Sequence, residues 1–205
     1  MSEKRSEWVT QTHVWASDVD PAHLEQARRE PPSLVHSVLE ILAYANDEAE
    51  SQGRRGRAVV SLGPGDVRVD DDGRGTDTRF DEAGRAVRKP VMATRDVRFF
   101  GVSDAPLLPD GEPRRGMSSV AANVQRLWHE NHRENGAWRQ EYRWGVPVDE
   151  LVEVPFRGST GTCVELGVGE PGASEPAALS EREVERLALG FGWLEVTVWR
   201  EGSAS

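Results

Sequence analysis

Val67-Arg68-Val69-Asp70-Asp71-Asp72-Gly73-Arg74-Gly75 is the stretch that decides the fold. Its valines alternate with polar residues at a period of two, so Val67, Val69 and Asp71 share one face of a strand and Arg68, Asp70 and Asp72 the other. Asp71 is therefore predicted to point inward, and Asp70 and Asp72 to be solvated. A strand that turns a carboxylate toward its own apolar face and then breaks into Gly-Arg-Gly sets a hydrogen-bond acceptor at the rim of a core. An exocyclic amine would satisfy that acceptor.

Working outward, the run before this strand predicts a long helix over residues 33–52. Leu34, Val38, Ile41 and Ala45 form one stripe with Val35, Leu39 and Leu42 adjoining, a wide face for burial. On the remaining face His36, Glu40, Tyr44 and Asp47 follow at spacings of three or four and project together, with Glu48 at the edge. Taken alone, His36 reads as a polar-face or cap-proximal residue. A shorter helix precedes it, opened by Asp20-Pro21 and ended before Pro31-Pro32. Residues 57–62 and 67–71 read as strands joined by the turn Gly63-Pro64-Gly65-Asp66.

Residues 73–115 are dense in Gly, Pro, Asp and Arg, as a lid or binding loop is. Beyond Gly116, Met117, Val120, Val124, Leu127 and Trp128 predict an amphipathic helix. The second half reads as a meander: a turn at Glu134-Asn135-Gly136, alternation through Trp138, Gln140, Tyr142 and Trp144, then strands over 151–156 and 162–168. Ser180 to Glu183 form a capping box for a helix closed by Gly190, and a last strand spans 193–199. This order predicts an α+β fold, a two-layer α/β sandwich whose mixed, mainly antiparallel sheet carries its helices on one face. The division expected is an N-terminal arm over 1–20, one domain over 21–200 and a tail over 201–205. Trp8 and Trp15 in the arm are too large and apolar to be left free.

The 205 residues suffice for one core. Apolar content of 37% against 29% charged residues is that of a soluble globular protein. No apolar run approaches the roughly 20 residues that span a bilayer, and residues 1–7 lack the apolar segment of a secretory signal. A cytoplasmic protein with no membrane partner is expected. A net charge of −10 disfavours an exposed nucleic-acid surface. The densest basic spots, Arg54-Arg55, Arg57 and Arg114-Arg115, read as solvated loop charge. The single cysteine, Cys163, can form no internal disulfide and reads as a small buried hydrophobe.

With helix, hairpin and glycine-rich loop in hand, the sequence resembles the N-terminal ATPase domain of the DNA gyrase B protein and topoisomerase IV, in the wider GHKL group of the Bergerat ATPase fold. The resemblance runs from about Leu24 to Arg200. It is carried by Leu39-Glu40 with Asp47-Glu48-Ala49, by Asp71-Asp72-Gly73-Arg74-Gly75, by Arg139-Gln140 with Gly145-Val146-Pro147, and by Thr160-Gly161-Thr162. It implies ATP or ADP as ligand, with Glu40 as the general base for the attacking water. Asp71 would accept from the adenine amino group, Thr162 would support it, and Gly75 would let the backbone pass close to the base. Glu48 and Arg74 would pair at the pocket edge. Arg139 would stand at its mouth, where aminocoumarin-like ligands also bind in that family.

Departures fall on the phosphate side. The family's magnesium-binding asparagine corresponds to Tyr44, a poor ligand for a hard cation. Asn46 lies about 200° around the helix from that position. The glycine-rich phosphate lid falls on Gly111-Glu112-Pro113-Arg114-Arg115-Gly116, where Gly111 and Gly116 remain but proline and arginines replace small residues. The family's Gly-Gly-Lys reads Asp96-Val97-Arg98, Thr76-Asp77 replaces an Ile-Pro pair, and the loop before the main helix is missing. The γ-phosphate lysine of the family's transducer domain has no counterpart in these residues. The resulting expectation is a gyrase-B-like nucleotide-binding domain with weak or lost hydrolysis, a pseudoenzyme. Two alternatives stand beside it: an ATPase component completed by another chain, and a ligand-free interaction protein or decoy acting on gyrase subunits.

Overall fold

The computed structural model describes residues 19–76, 78–84, 86–87, 98–99, 102–148, 150–167 and 179–202. The arm residues 1–18, with Trp8 and Trp15, lie outside them, as do Asp77, Asp96 and Val97. Helix α1 spans Pro21–Arg29, and Asp20 caps it by accepting from the Ala22 amide at 2.9 Å. Helix α2, Leu34–Gln52, is capped by Ser33 and stopped by Gly53 in the left-handed conformation at φ 62°. Its apolar face is buried through Val38, Leu39, Ile41 and Leu42, each contributing about 1.5–3 kcal/mol on leaving water, with the smaller Ala45 beside them.

Strands β1, Gly56–Leu62, and β2, Asp66–Asp71, form the expected hairpin, closed by the Gly63 amide donating to the Asp66 carbonyl. β3, Arg79–Phe80, and β4, Ala86–Val87, make a separate two-stranded ribbon. Helix α3 covers Met117–Ala122, followed by β5, Arg126–Arg133, β6, Gly136–Arg143, β7, Val146–Pro147, β8, Val152–Glu153, and β9, Gly161–Gly167. Helix α4, Glu181–Ala188, and strand β10, Leu194–Arg200, complete the chain order. The eight-stranded sheet runs β10-β1-β2-β9-β5-β6-β7, with β8 also on β6. Among the described residues the β1–β10 pair is the only parallel one in this sheet, and its other pairings are antiparallel.

One apolar core joins the inner face of this sheet, through Ala58, Val60, Val69, Leu127, Tyr142, Val164 and Leu166, to α2, α3 and α4. The two-layer α+β sandwich is thus the fold found.

Three boundaries differ from expectation. The helix after Gly116 ends at Ala122, and Leu127 and Trp128 belong to β5. Their spacing from Val120 and Val124 imitates a helix. Yet Leu127, His129 and Asn131 alternate along β5, which pairs with β6 on one side and β9 on the other. Asn123 ends the helix, its side-chain amide donating to the carbonyls of Ala27 and Ser119 and so tying α3 to α1. The strand expected over 151–156 is confined to Val152–Glu153. Ser180 caps α4 with its backbone carbonyl, which accepts from the Glu183 and Val184 amides, and makes no side-chain cap.

Candidate functional site

Between α2 and the inner face of the sheet lies a cavity of 530 Å³. Its apolar wall is built by Ile41, Tyr44 and Ala45 of α2 with Met117 of α3 and Val164 of β9, and its polar groups include Asp71, Thr76, His129 and Thr162. Asp71 reaches the cavity because it ends β2 on the face of Val67 and Val69, as the alternation predicted. One carboxylate oxygen, Oδ1, accepts from the Gly73 amide at 2.8 Å and the Thr162 amide at 3.2 Å. The other, Oδ2, takes the Thr162 hydroxyl. A carboxylate offers about four acceptor positions, so one direction on Oδ2 is left for a further donor. Burial pushes the Asp71 carboxyl above the usual aspartate range, and the hydrogen bonds from Thr162 and Gly73 oppose that rise without cancelling it.

Backbone geometry holds the same corner. Gly75 sits at φ 73°, where a Cβ would lie 2.6 Å from Asn131 Oδ1 and from the His132 carbonyl. Asn131 pins the neighbouring turn, accepting from the Thr76 amide at 2.7 Å and donating to the Thr76 carbonyl at 2.7 Å. Gly161, at φ 138°, would press a Cβ into the Asp71 carbonyl at 1.9 Å. At the edge, Arg74 grips Glu48 with two bonds of 2.6 and 3.1 Å, both residues flanking the cavity side of α2. Asp71, Gly75, Thr162 and Glu48 therefore converge on one cavity, with Arg74 beside it.

The remaining candidates stand elsewhere. Glu40 is fully buried and is not a cavity-lining residue. Its Oε1 accepts the amides of Arg115 and of Gly116, the latter at 3.1 Å, while Oε2 lies 3.7 Å from Arg114 Nε. Gly116, at φ 82°, therefore serves Glu40. Gly111 forms the tip of a tight strap, its amide donating to the Leu108 carbonyl, and does not line the cavity. Arg139 is displaced further. It pairs across the strands with Glu130, its Nε 2.9 Å from the carboxylate, and Glu130 stands opposite Cys163 and thence Asp70. Cross-strand partners share a face, so Arg139 occupies the outer face, away from the cavity mouth assigned to it by resemblance.

Several charges read as solvated are bonded. Asp70 is held by Arg68 at 2.7 Å and Arg157 at 2.8 Å. Asp72 accepts from the Arg57 amide at 2.8 Å and pairs with Arg54. Arg114 is buried, salt-bridged to Asp47 at 2.6 Å, and its guanidinium lies 3.8 Å over the Phe99 ring and 5.0 Å over that of Tyr44. His36 is buried as well, 2.7 Å from Asp110 and 3.6 Å from Glu40. Burial opposes its protonation, but the two carboxylates beside it, Glu40 and the hydrogen-bonded Asp110, prevail and raise its pKa. Cys163 is buried, as read, and burial pushes its thiol up.

The magnesium of the resembling family does not fit these residues. Tyr44 is engaged edge-on with Phe99 at 6.3 Å and faces the guanidinium groups of Arg98 and Arg114. Asn46 accepts the Trp193 amide at 3.0 Å, on another side of α2. Asp47 and Glu48, the nearest acids, are each bound by an arginine. Among the described residues no group of three or more His, Cys, Asp or Glu is arranged for a metal. No helix of the described residues is long and apolar enough to cross a membrane.

Sequence reading did not single out Thr76, His129, Met117 or Asn131 for the site. The alternation of Leu127, His129 and Asn131 carried the signal for two of them, masked by the helix-like spacing around Val124.

No family model matches the chain. Over 136 residues, 64% of its length, the chain is 33% identical to the DNA gyrase B protein of Micrococcus luteus. It spans 19% of the length of that protein. This stretch of the chain is thus related to part of the gyrase B protein.

Proposed function

We propose that the chain is a gyrase-B-like domain that binds an adenine nucleotide in the cavity between α2 and the sheet, with weak or no ATP hydrolysis. The observation that carries this reading is the Asp71 carboxylate, oriented by Thr162 and the Gly73 amide with one acceptor direction unused at a cavity wall. A base with an exocyclic amine would complete that shell and lie against Ile41, Ala45, Met117 and Val164. Gly75 would allow the close backbone approach. Glu40, the candidate base for hydrolysis, spends one oxygen on two backbone amides and is not among the residues that line the cavity. That arrangement supports binding over turnover.

Calorimetric titration with ATP and with ADP tests the proposal. Saturable binding of either in wild type, weakened at least tenfold in Asp71→Ala, is expected, with no phosphate release above background. Absence of binding of both at millimolar concentration overturns it.

A second reading draws on the tryptophans. Trp144, Trp193 and Trp199 are exposed by 51%, 40% and 45%, and large aromatics left in water are characteristic of protein-binding surfaces. On this reading the domain is an interaction protein acting on gyrase subunits. Capture of purified gyrase subunits by the chain, abolished by replacing these three residues with serine, would favour it; retention of binding in that variant would count against it.

A further inference from the structure

Strand β5 sets two polar residues, His129 and Asn131, on the inner face of the sheet that it shares with the core residue Leu127. Their neighbours follow from register. Asn131 stands opposite Thr162 of β9 and His129 opposite Val164, which in turn faces Val69 of β2. Asp71, two residues beyond Val69, therefore belongs to the row of Thr162 and Asn131, and His129 to the adjoining row on the same face. Asn131 is buried and bound to Thr76, accepting its amide and donating to its carbonyl, each at 2.7 Å. His129 is half-buried and lines the cavity together with Asp71, Thr76 and Thr162.

The same register sets the separation of the two side chains. Asp71 and His129 are two strands and two residues apart, which at about 4.8 Å between strands and about 3.4 Å per residue puts their Cα atoms roughly 12 Å from each other. Val164 lies between them on β9 as an apolar floor, and Ile41 and Ala45 of α2 line the same cavity. A flat bicyclic base on Val164, with a hydrogen bond of about 2.9 Å at each end, spans that separation. At the Asp71 end the protein accepts, so the ligand edge there carries a donor, the exocyclic amine. At the His129 end an imidazole N–H donates, so the ligand edge there carries an acceptor, as the ring nitrogens of adenine are. An imidazole has two nitrogens and can hold a protein group through one and a ligand through the other. One polar contact against an apolar wall leaves a ring free to turn about it, whereas two at opposite edges fix its orientation.

We infer that His129 is a specificity-determining residue of this site: it donates to a ring nitrogen of the adenine whose amine Asp71 accepts, so that the base is read at two edges. The inference rests on the proposed function and adds to it a second recognition contact.

The experiment compares adenosine with its 1-deaza, 3-deaza and 7-deaza analogues by calorimetry, on the full chain and on His129→Leu. Each analogue replaces one ring nitrogen by C–H and keeps the amine. At least one of them is expected to bind wild type threefold or more weakly than adenosine, and that ratio is expected to shrink at least twofold in His129→Leu. All three binding wild type within threefold of adenosine overturns the inference while leaving the proposed function standing, and so does a ratio that shrinks less than twofold in the variant. No binding of adenosine to wild type overturns the proposed function and this inference with it. Should His129→Leu not fold by circular dichroism, the imidazole ¹⁵N resonances of wild type decide: a shift at His129 with adenosine that the weakest analogue does not reproduce supports the contact, and the same response to both, or none, overturns it.

Discussion

Asp71 combines two opposed demands. Its carboxyl is pushed toward the neutral form by burial, while its role as an acceptor needs the charged form, which Thr162 and the Gly73 amide favour. Protonation would replace an acceptor by a donor. Affinity for adenosine is therefore expected to fall as pH drops toward the raised Asp71 value, beginning above the range in which ordinary carboxylates titrate. A pH series of the dissociation constant checks this, and a flat profile down to pH 4 would contradict it. The glycines around the carboxylate are fixed by space as well as by φ. Gly161→Ala and Gly75→Ala each drive a Cβ into backbone or side-chain oxygen and are expected to lower stability by about 1–3 kcal/mol in urea unfolding. A loss below 0.5 kcal/mol, roughly what an ordinary surface change gives, would show that the corner relaxes. Both the inward turn of Asp71 and the need for glycine beside it were legible from alternation and from the Gly-Arg-Gly break. Asn131, which pins Thr76, was not, because it lies in a strand 55 positions beyond Thr76 whose apolar neighbours imitate a helix.

At the scale of elements, the contact between α2 and the strap is the part of the structure in which charge matters most. His36 to Asp110, Arg114 to Asp47 and Glu40 to two amides fasten one to the other, all on the helix face that the spacing of His36, Glu40, Tyr44 and Asp47 had marked. Protonated His36 faces Asp110 from the strap and Glu40 from its own helix, with Arg114 beyond Glu40. Its folded pKa is raised, so its contribution to stability is complete below the free value of about 6.5 and is lost as pH rises through the folded one. The melting midpoint of wild type is expected to fall between pH 6.5 and 9 by more than that of Asp110→Asn; parallel curves would contradict this. Removing one partner of a buried charge set leaves the others exposed to their own desolvation. Arg114→Ala is thus expected to cost about 3 kcal/mol in denaturant unfolding, where a solvated loop arginine would cost nearly nothing. Sequence reading placed Arg114 in solvent because proline and glycine surround it. What reversed that is tertiary: Asp47 and Glu40 are more than 60 positions earlier in the chain.

For the molecule as a whole, the two-layer order was legible because the long helix carried a wide apolar stripe and the second strand of the first hairpin an alternation. Face assignments between distant strands were not. Arg139 goes to the outer face through its register with Glu130, a fact set by the β5–β6 hairpin and invisible in local pattern. The same sheet leaves one face for the helices and the cavity, and collects on the other the Arg68–Asp70–Arg157 and Arg139–Glu130 pairs. The relation to the gyrase B protein covers 64% of the chain at 33% identity. The most direct test of the central claim is a ¹H–¹⁵N NMR titration of the full chain with adenosine. Saturable shifts led by the amides of Gly73, Gly75 and Thr162, absent in Asp71→Ala, are expected. Shifts confined to the outer face of the sheet, or shifts around Gly75 and Thr162 that persist unchanged without the Asp71 carboxylate, would contradict it.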